Sequence, residues 1–140
     1  MAALALAACG AKDSQAGKPD RAAQLKANLV LQRKIAQIAG QANQAAPAAV
    51  DPDTRLDGAK AGPGLKLTTT YTLVNAAANG VNSDTFATKL TPVVTKGSCE
   101  NPELRPLIDG GVVVVLEYRG LDGKPIGTVS INRDSCRASK

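Results

Sequence analysis

Three cysteines, Cys9, Cys99 and Cys136, and a complete lack of histidine set the chemistry open to this 140-residue chain. Without an imidazole, a thiol or hydroxyl has no usual activating base, so a Ser-His-Asp triad, a Cys-His pair and a His-ligated zinc site are all excluded. The carboxylates add little. Asp51, Asp53 and Asp57 in VDPDTRLDG have the loose spacing of a calcium loop. An EF-hand, however, needs Gly at its sixth position and Glu at its twelfth, and turn formation accounts for these acids. Glu100, Glu103 and Glu117 are the only glutamates, and no pair of them has a glycosidase-like placement. No SxxK dyad occurs, and no Gly-rich phosphate loop joins a strand to a helix. These residues imply no catalytic set, no metal and no cofactor. Glu103 and Arg105, set between Pro102 and Pro106 and close to Cys99, read as a rigid exposed knob suited to a protein partner, although an arginine so placed is more often a structural ion-pair partner.

The first ten residues, MAALALAACG, are an apolar run of small and branched side chains closing on Leu6-Ala7-Ala8-Cys9. This resembles a bacterial lipobox. The resemblance implies a thiol at Cys9 that receives a diacylglyceryl group and, after cleavage, an acylated Cys9 as first residue. Gly10 stands where an Asp would favour inner-membrane retention, so the same resemblance implies sorting to the periplasmic face of the outer membrane. No Lys or Arg precedes Cys9, although a secretory signal opens with a basic segment, so the true start is expected upstream of Met1 or the sequence is trimmed. The competing account is a fortuitous Ala-rich terminus on a cytosolic protein. No apolar stretch reaches the roughly 18 residues of a membrane-spanning helix, which leaves lipid as the expected attachment.

With Cys9 taken by lipid, Cys99 and Cys136 remain, and an even pair in an exported protein reads as a disulfide. Two free thiols are the alternative. Closing that loop stabilises the fold by up to about 4 kcal/mol on the chain-entropy estimate.

Composition changes near Pro47. Leu, Ile, Val and Phe are sparse and Ala abundant before it, whereas most of the branched and aromatic residues follow. Residues 1–8 are expected to be a signal remnant, 9–19 a flexible tether, 20–46 an amphipathic helix, and 48–140 the folded domain. On that helix Leu31, Ile35, Ile38 and Ala42 form one stripe, with Leu25 and Leu29 on an adjoining one. Its apolar side must pack on the domain, on a second copy or on a partner. Charge is uneven too. Lys12, Lys18, Arg21, Lys26, Arg33 and Lys34 face only Asp13 and Asp20 before Pro47, while the rest of the chain is nearly balanced. Such an excess suits anionic headgroups, although a merely solvated helix and linker explains it more simply. No basic cluster interleaved with aromatics points to nucleic acid.

The domain reads as α+β. A short strand over 54–61, a turn at Gly62-Pro63-Gly64, and a strand over 65–74 form the first hairpin, with Leu65, Leu67, Thr69, Tyr71 and Leu73 inward and Lys66, Thr68, Thr70 and Thr72 in water. Asn82-Ser83-Asp84 caps a helix carrying Phe86, Leu90, Val93 and Val94 and ending at Gly97, with Pro92 kinking or shortening it. A helical turn from Asn101 toward Asp109 follows. Val112 to Tyr118 then reads as a central strand with helical cover on both faces, and Leu121-Asp122-Gly123-Lys124 turns it into the last strand. The expected architecture is an N-terminal helix plus a four-stranded antiparallel sheet of two hairpins, order α-ββ-α-ββ.

The stretch from Asp53-Thr54-Arg55-Leu56-Asp57 through Gly62-Pro63-Gly64, Tyr71-Thr72-Leu73-Val74 and Cys99-Glu100-Asn101-Pro102-Glu103-Leu104-Arg105 to Cys136 resembles small exported proteobacterial proteins of unknown role. That resemblance carries no function. The expectation is a lipid-anchored, non-enzymatic, protein-binding lipoprotein facing the periplasm, such as an inhibitor or immunity protein against a wall-degrading effector. The alternative is an accessory, pilotin-like subunit of an envelope assembly or secretion system. Glu103, Arg105, Asp122 and the turn at Gly62 are the expected contacts. A small hydrolase or ligand carrier ranks behind both, because Phe86, Tyr71 and Tyr118 offer little aromatic lining for a pocket.

Overall fold

A computed structural model describes residues 21–138. The elements run α1 (Arg21–Ala45), β1 (Ala48–Asp51), β2 (Thr54–Ala61), β3 (Lys66–Leu73), a 3-10 turn (Ala78–Gly80), α2 (Ser83–Glu100), α3 (Arg105–Asp109), β4 (Val113–Arg119), β5 (Pro125–Ile131) and α4 (Arg133–Ala138). Residues 21–30, the first turns of α1, belong to a unit separate from the body that begins at Leu31.

The five strands form one mixed sheet in the order β1-β2-β3-β4-β5. This corrects the expected four-stranded antiparallel sheet in two respects. The pair β3–β4 is parallel, with Lys66 opposite Val113 and Thr72 opposite Arg119. The physical reason is the connection: α2 and α3 carry the chain back along the sheet, so β4 starts beside the start of β3, as in any helical crossover. The extra strand is β1, whose Ala-rich sequence has no alternation to betray it. It forms because the chain reverses at Pro52-Asp53, where Asp51 Oδ1 accepts from the Asp53 N–H at 2.8 Å, laying Ala48 against Leu56 and Ala49 against Arg55.

Cross-strand register builds the core on one face of the sheet. Leu67, Val114 and Ile131 lie in one row, Leu116 and Val129 in another, and Tyr71 and Tyr118 in a third. Ile35 and Ala39 of α1 join this core together with Cys99 of α2, so α1 does not give β4 the cover on its second face that its apolar run suggested. Leu67, Ile108, Ile131, Ile35 and Val112 are among its fully buried side chains, each worth about 1.5–3 kcal/mol in burial. All three aromatic residues meet here. The Tyr71 and Tyr118 rings stack with centroids 5.0 Å apart, and Phe86 meets Tyr118 edge-on at 5.4 Å.

Alternation along β3 holds for Leu67 but breaks at Thr72, which is buried rather than wet. A bulge between Leu56 and Gly58 is the cause, since it turns Asp57 toward Thr72. The Thr72 hydroxyl donates to Asp57 Oδ2, and Arg55 Nε pairs with Asp57 Oδ1 at 2.7 Å.

Candidate functional site: a groove beside the disulfide

Helix α2 starts where expected. The Asn82 side chain accepts from the Thr85 N–H at 2.9 Å, and Asp84 occupies the first turn. Phe86, Leu90 and Val94 pack on the core at helical spacing. Two expectations fail beyond them. Val93 is 67% exposed rather than inward, and the helix runs through Gly97 to Glu100. Pro92 has no N–H for the preceding turn, and Thr91 Oγ1 donates to the Ala87 carbonyl at 2.6 Å beside it. Past the proline the buried positions step to Thr95, Ser98 and Cys99, which places Val93 outside and leaves the final turn helical.

Helix α4 is closed by reciprocal capping. Asn132 Oδ1 accepts from the Ser135 N–H at 2.9 Å, while Ser135 Oγ accepts from the Asn132 N–H at 3.1 Å. One turn on, Cys136 is bonded to Cys99 with their Cα atoms 5.5 Å apart, which realises the disulfide rather than the free thiols. The bridge clamps α4 to the end of α2. Between them and edge strand β5 lies a groove of about 520 Å³ lined by Thr91, Pro92, Thr95, Lys96, Ser130, Ser135 and Ala138. Its lining is two threonines, a proline, an alanine and two serines, with Lys96 the one charged group. Ser135 Oγ is engaged with the Asn132 cap, and among the described residues no group of His, Cys, Asp or Glu is placed to hold a metal. What such a surface can do is bind a peptide segment, by apolar contact along the walls and hydrogen bonding at the serines.

The residues singled out from sequence are not brought together. Arg105 Nε pairs with Asp109 Oδ1 at 3.0 Å within α3, and its Nη1 donates to the Cys99 carbonyl at 3.4 Å, so it braces the turn after the disulfide. Glu103 is exposed on the preceding loop, where its N–H donates to Asn101 Oδ1 at 2.8 Å. Asp122 sits past the other end of β4, separated from α3 by seven strand residues, or about 23 Å. Its Oδ1 accepts from the N–H groups of Ala78 at 3.2 Å and Lys124 at 3.3 Å. The Ala78 bond is the main reason its carboxyl is held below the ordinary value of 3.8. Gly120 permits this approach of hairpin and 3-10 turn, because a Cβ there would lie 2.3 Å from Ala78 N. The turn at Gly62 lies at the α3 end of the sheet, since β3 and β4 start side by side. Asp51, Asp53 and Asp57 each serve a turn or strand contact: Asp51 closes β1–β2, Asp53 Oδ1 accepts from Asn75 Nδ2 at 2.7 Å, and Asp57 holds Arg55 and Thr72. Cys9 lies outside the described residues. The groove itself was missed in the sequence. Its one signal was Pro92 within a helical pattern, between Thr91 and Thr95.

No family model matches the chain, and no curated protein sequence matches it. Solved structures do. The type II secretion system pilotin AspS from Vibrio cholerae is similar in fold, with a TM-score of 0.65 at 16% identity, over 81% of this chain and 99% of that one. The pilotin EpsS from the Vibrio vulnificus type 2 secretion system gives a TM-score of 0.63 at 15% identity, over 79% and 96%. A protein assigned as secreted, from Pseudomonas aeruginosa, gives 0.66 at 16% identity, over 79% and 96%. At these identities the shared property is the fold.

Proposed function

We propose that this chain is a non-enzymatic accessory protein of the bacterial envelope, of the pilotin type, held to a membrane by lipid at Cys9 and binding a subunit of a secretion or assembly system. The observation that carries the reading is the fold shared with two pilotins across nearly their whole length. The Cys99–Cys136 bond supports an oxidising compartment. Absence of His and the use of all three aromatics in the core stack argue against a small hydrolase or an aromatic-lined carrier. Support therefore goes to the accessory-subunit alternative ahead of an inhibitor of a wall-degrading effector.

In this reading the partner contact is the groove between α2, α4 and β5 with exposed Val93 at its side, in place of Glu103, Arg105 and Asp122. The test is photo-crosslinking in the native host from a probe at Lys96 or Val93. The expected product joins the chain to one envelope subunit of a secretion or assembly machine, and a probe at Asp122 gives none. Capture of a wall-degrading enzyme, or of nothing from either groove position, overturns it.

A further inference from the structure

The first turns of α1 carry a feature that the accessory-protein reading does not use. Leu25 is 58% exposed, Leu29 52% and Val30 58%, three of the six large apolar side chains most open to solvent among the described residues. They lie on adjacent helical rows. Leu25 and Leu29 are one turn apart, Val30 is one turn beyond Lys26, and the two rows run side by side. Lys26 is thus set among the apolar residues, with Arg21 a turn before Leu25. Over its whole length α1 has Arg21, Lys26, Arg33 and Lys34 and no acidic residue. A merely solvated helix would account for the lysines and arginines but leaves the exposed leucines and valine without a role.

We propose that the first turns of α1, through Leu25, Leu29 and Val30 with Arg21 and Lys26, bind an anionic phospholipid surface. Two physical arguments select this occupant. Apolar side chains interleaved with cations, with no acid to repel phosphate, are complementary to the headgroup–acyl boundary, where the apolar part is buried shallowly and the ammonium and guanidinium groups meet phosphates. Chain length gives the second. Eleven residues separate Cys9 from Arg21, a span of at most about 40 Å, so an acyl group at Cys9 would keep the helix within reach of the same surface. Charge and exposure belong to α1 itself, while the chain-length limit rests on the lipid at Cys9 proposed above.

The test uses the full chain with Cys9→Ser, so that no acyl group contributes, in flotation with mixed phosphatidylethanolamine–phosphatidylglycerol vesicles and with pure phosphatidylcholine vesicles. The expected result is co-flotation with the anionic vesicles only, weakening as salt is raised. Leu25→Ser/Leu29→Ser/Val30→Ser should lower partitioning at least about tenfold. Lys26→Glu, which leaves the apolar residues in place, should lower it in the same direction. Because the substituted side chains are exposed, both variants should keep the far-ultraviolet spectrum and melting transition of the parent. No flotation with anionic vesicles, equal flotation with neutral ones, or flotation unchanged in the triple variant overturns the proposal. So does a dimer of the parent chain in sedimentation that the triple variant dissolves while flotation stays the same, since the surface would then be one for a second copy. The crosslinking experiment reads a protein partner and the flotation experiment reads lipid, so either can fail without the other.

Discussion

Asn43 pairs with Ala59 as though it were a neighbouring strand: its Nδ2 donates to the Ala59 carbonyl at 2.9 Å and its Oδ1 accepts from the Ala59 N–H at 2.8 Å. Pairing of β1 to β2 stops at Leu56, so both backbone groups of Ala59 would otherwise face outward on an open sheet edge. Gly58 leaves room for the amide, since a Cβ there would lie 2.8 Å from Asn43 Oδ1. Asn43→Ala is expected to cost about 1 kcal/mol, because water can replace part of the pairing at this exposed site. The check is the midpoint of urea unfolding, which should fall with the slope unchanged.

At the opposite end of the sheet, Asp122 ties the β4–β5 hairpin to the 3-10 turn. Hydrogen bonding from Ala78 holds its carboxyl below 3.8 when folded. A depressed folded value means that its contribution is present above the unfolded value and is lost as pH falls through the folded one. A carboxyl-carbon titration should place its midpoint below that of an unstructured aspartate, and Asp122→Asn should flatten the acid limb of the stability curve.

Tyr118 predicts the alkaline limb. Burial, then the nearby Tyr71 phenol, push its phenol up from 10.0 to about 12. Its neutral form is favoured in the folded state, so the contribution is intact below pH 10 and is lost as pH rises toward 12. A phenolate absorbance titration should show one group ionising at about 12, missing in Tyr118→Phe.

The disulfide closes a loop with a sequence separation of 37. Cys99→Ala/Cys136→Ala should lower stability by as much as about 4 kcal/mol, mostly by freeing the unfolded chain. Denaturant unfolding of the variant beside the reduced parent gives the measurement, and the two should agree closely.

Arg105 serves structure. Its ion pair with Asp109 is partly exposed and one turn long, so Arg105→Ala should cost no more than about 1 kcal/mol. Crosslinking yield from the groove should be unchanged by it.

Legibility in the sequence follows the reach of the interactions. Helix α1, the Asn82 cap, the Asn101–Asp109 turn and the β4–β5 hairpin rest on neighbours within a few residues, and each was readable. Pairing of β3 with β4 depends on where a crossover of some forty residues delivers the chain, and nothing local to Leu67 or Val114 records it. β1 was hidden because Ala48 and Ala49 carry no periodic signal. Thr72 was misread because alternation assumes an unbroken ladder, and the bulge at Asp57 breaks it on the neighbouring strand. Cys99 and Cys136 were legible as a pair, but the groove they clamp needs three elements at once. Glu103, Arg105 and Asp122 read as contacts because charge in a turn suggests exposure; Glu103 and Asp122 are exposed, and what the sequence did not record is that Arg105 and Asp122 also bond neighbouring backbone.

The sulfur bridge also sets how this fold would respond to tension. Residues between Cys99 and Cys136 hold α3, β4 and β5 inside a covalent ring. A force entering through α1, the side from which a membrane anchor would pull, can strip α1 and then β1 to β3, but it short-circuits through sulfur before reaching the ring. About 125 Å of contour length is thereby withheld from extension. Under load the segments outside the ring would unravel while the ring keeps its own length in reserve, leaving β5, α4 and the end of α2 together as the last part to yield.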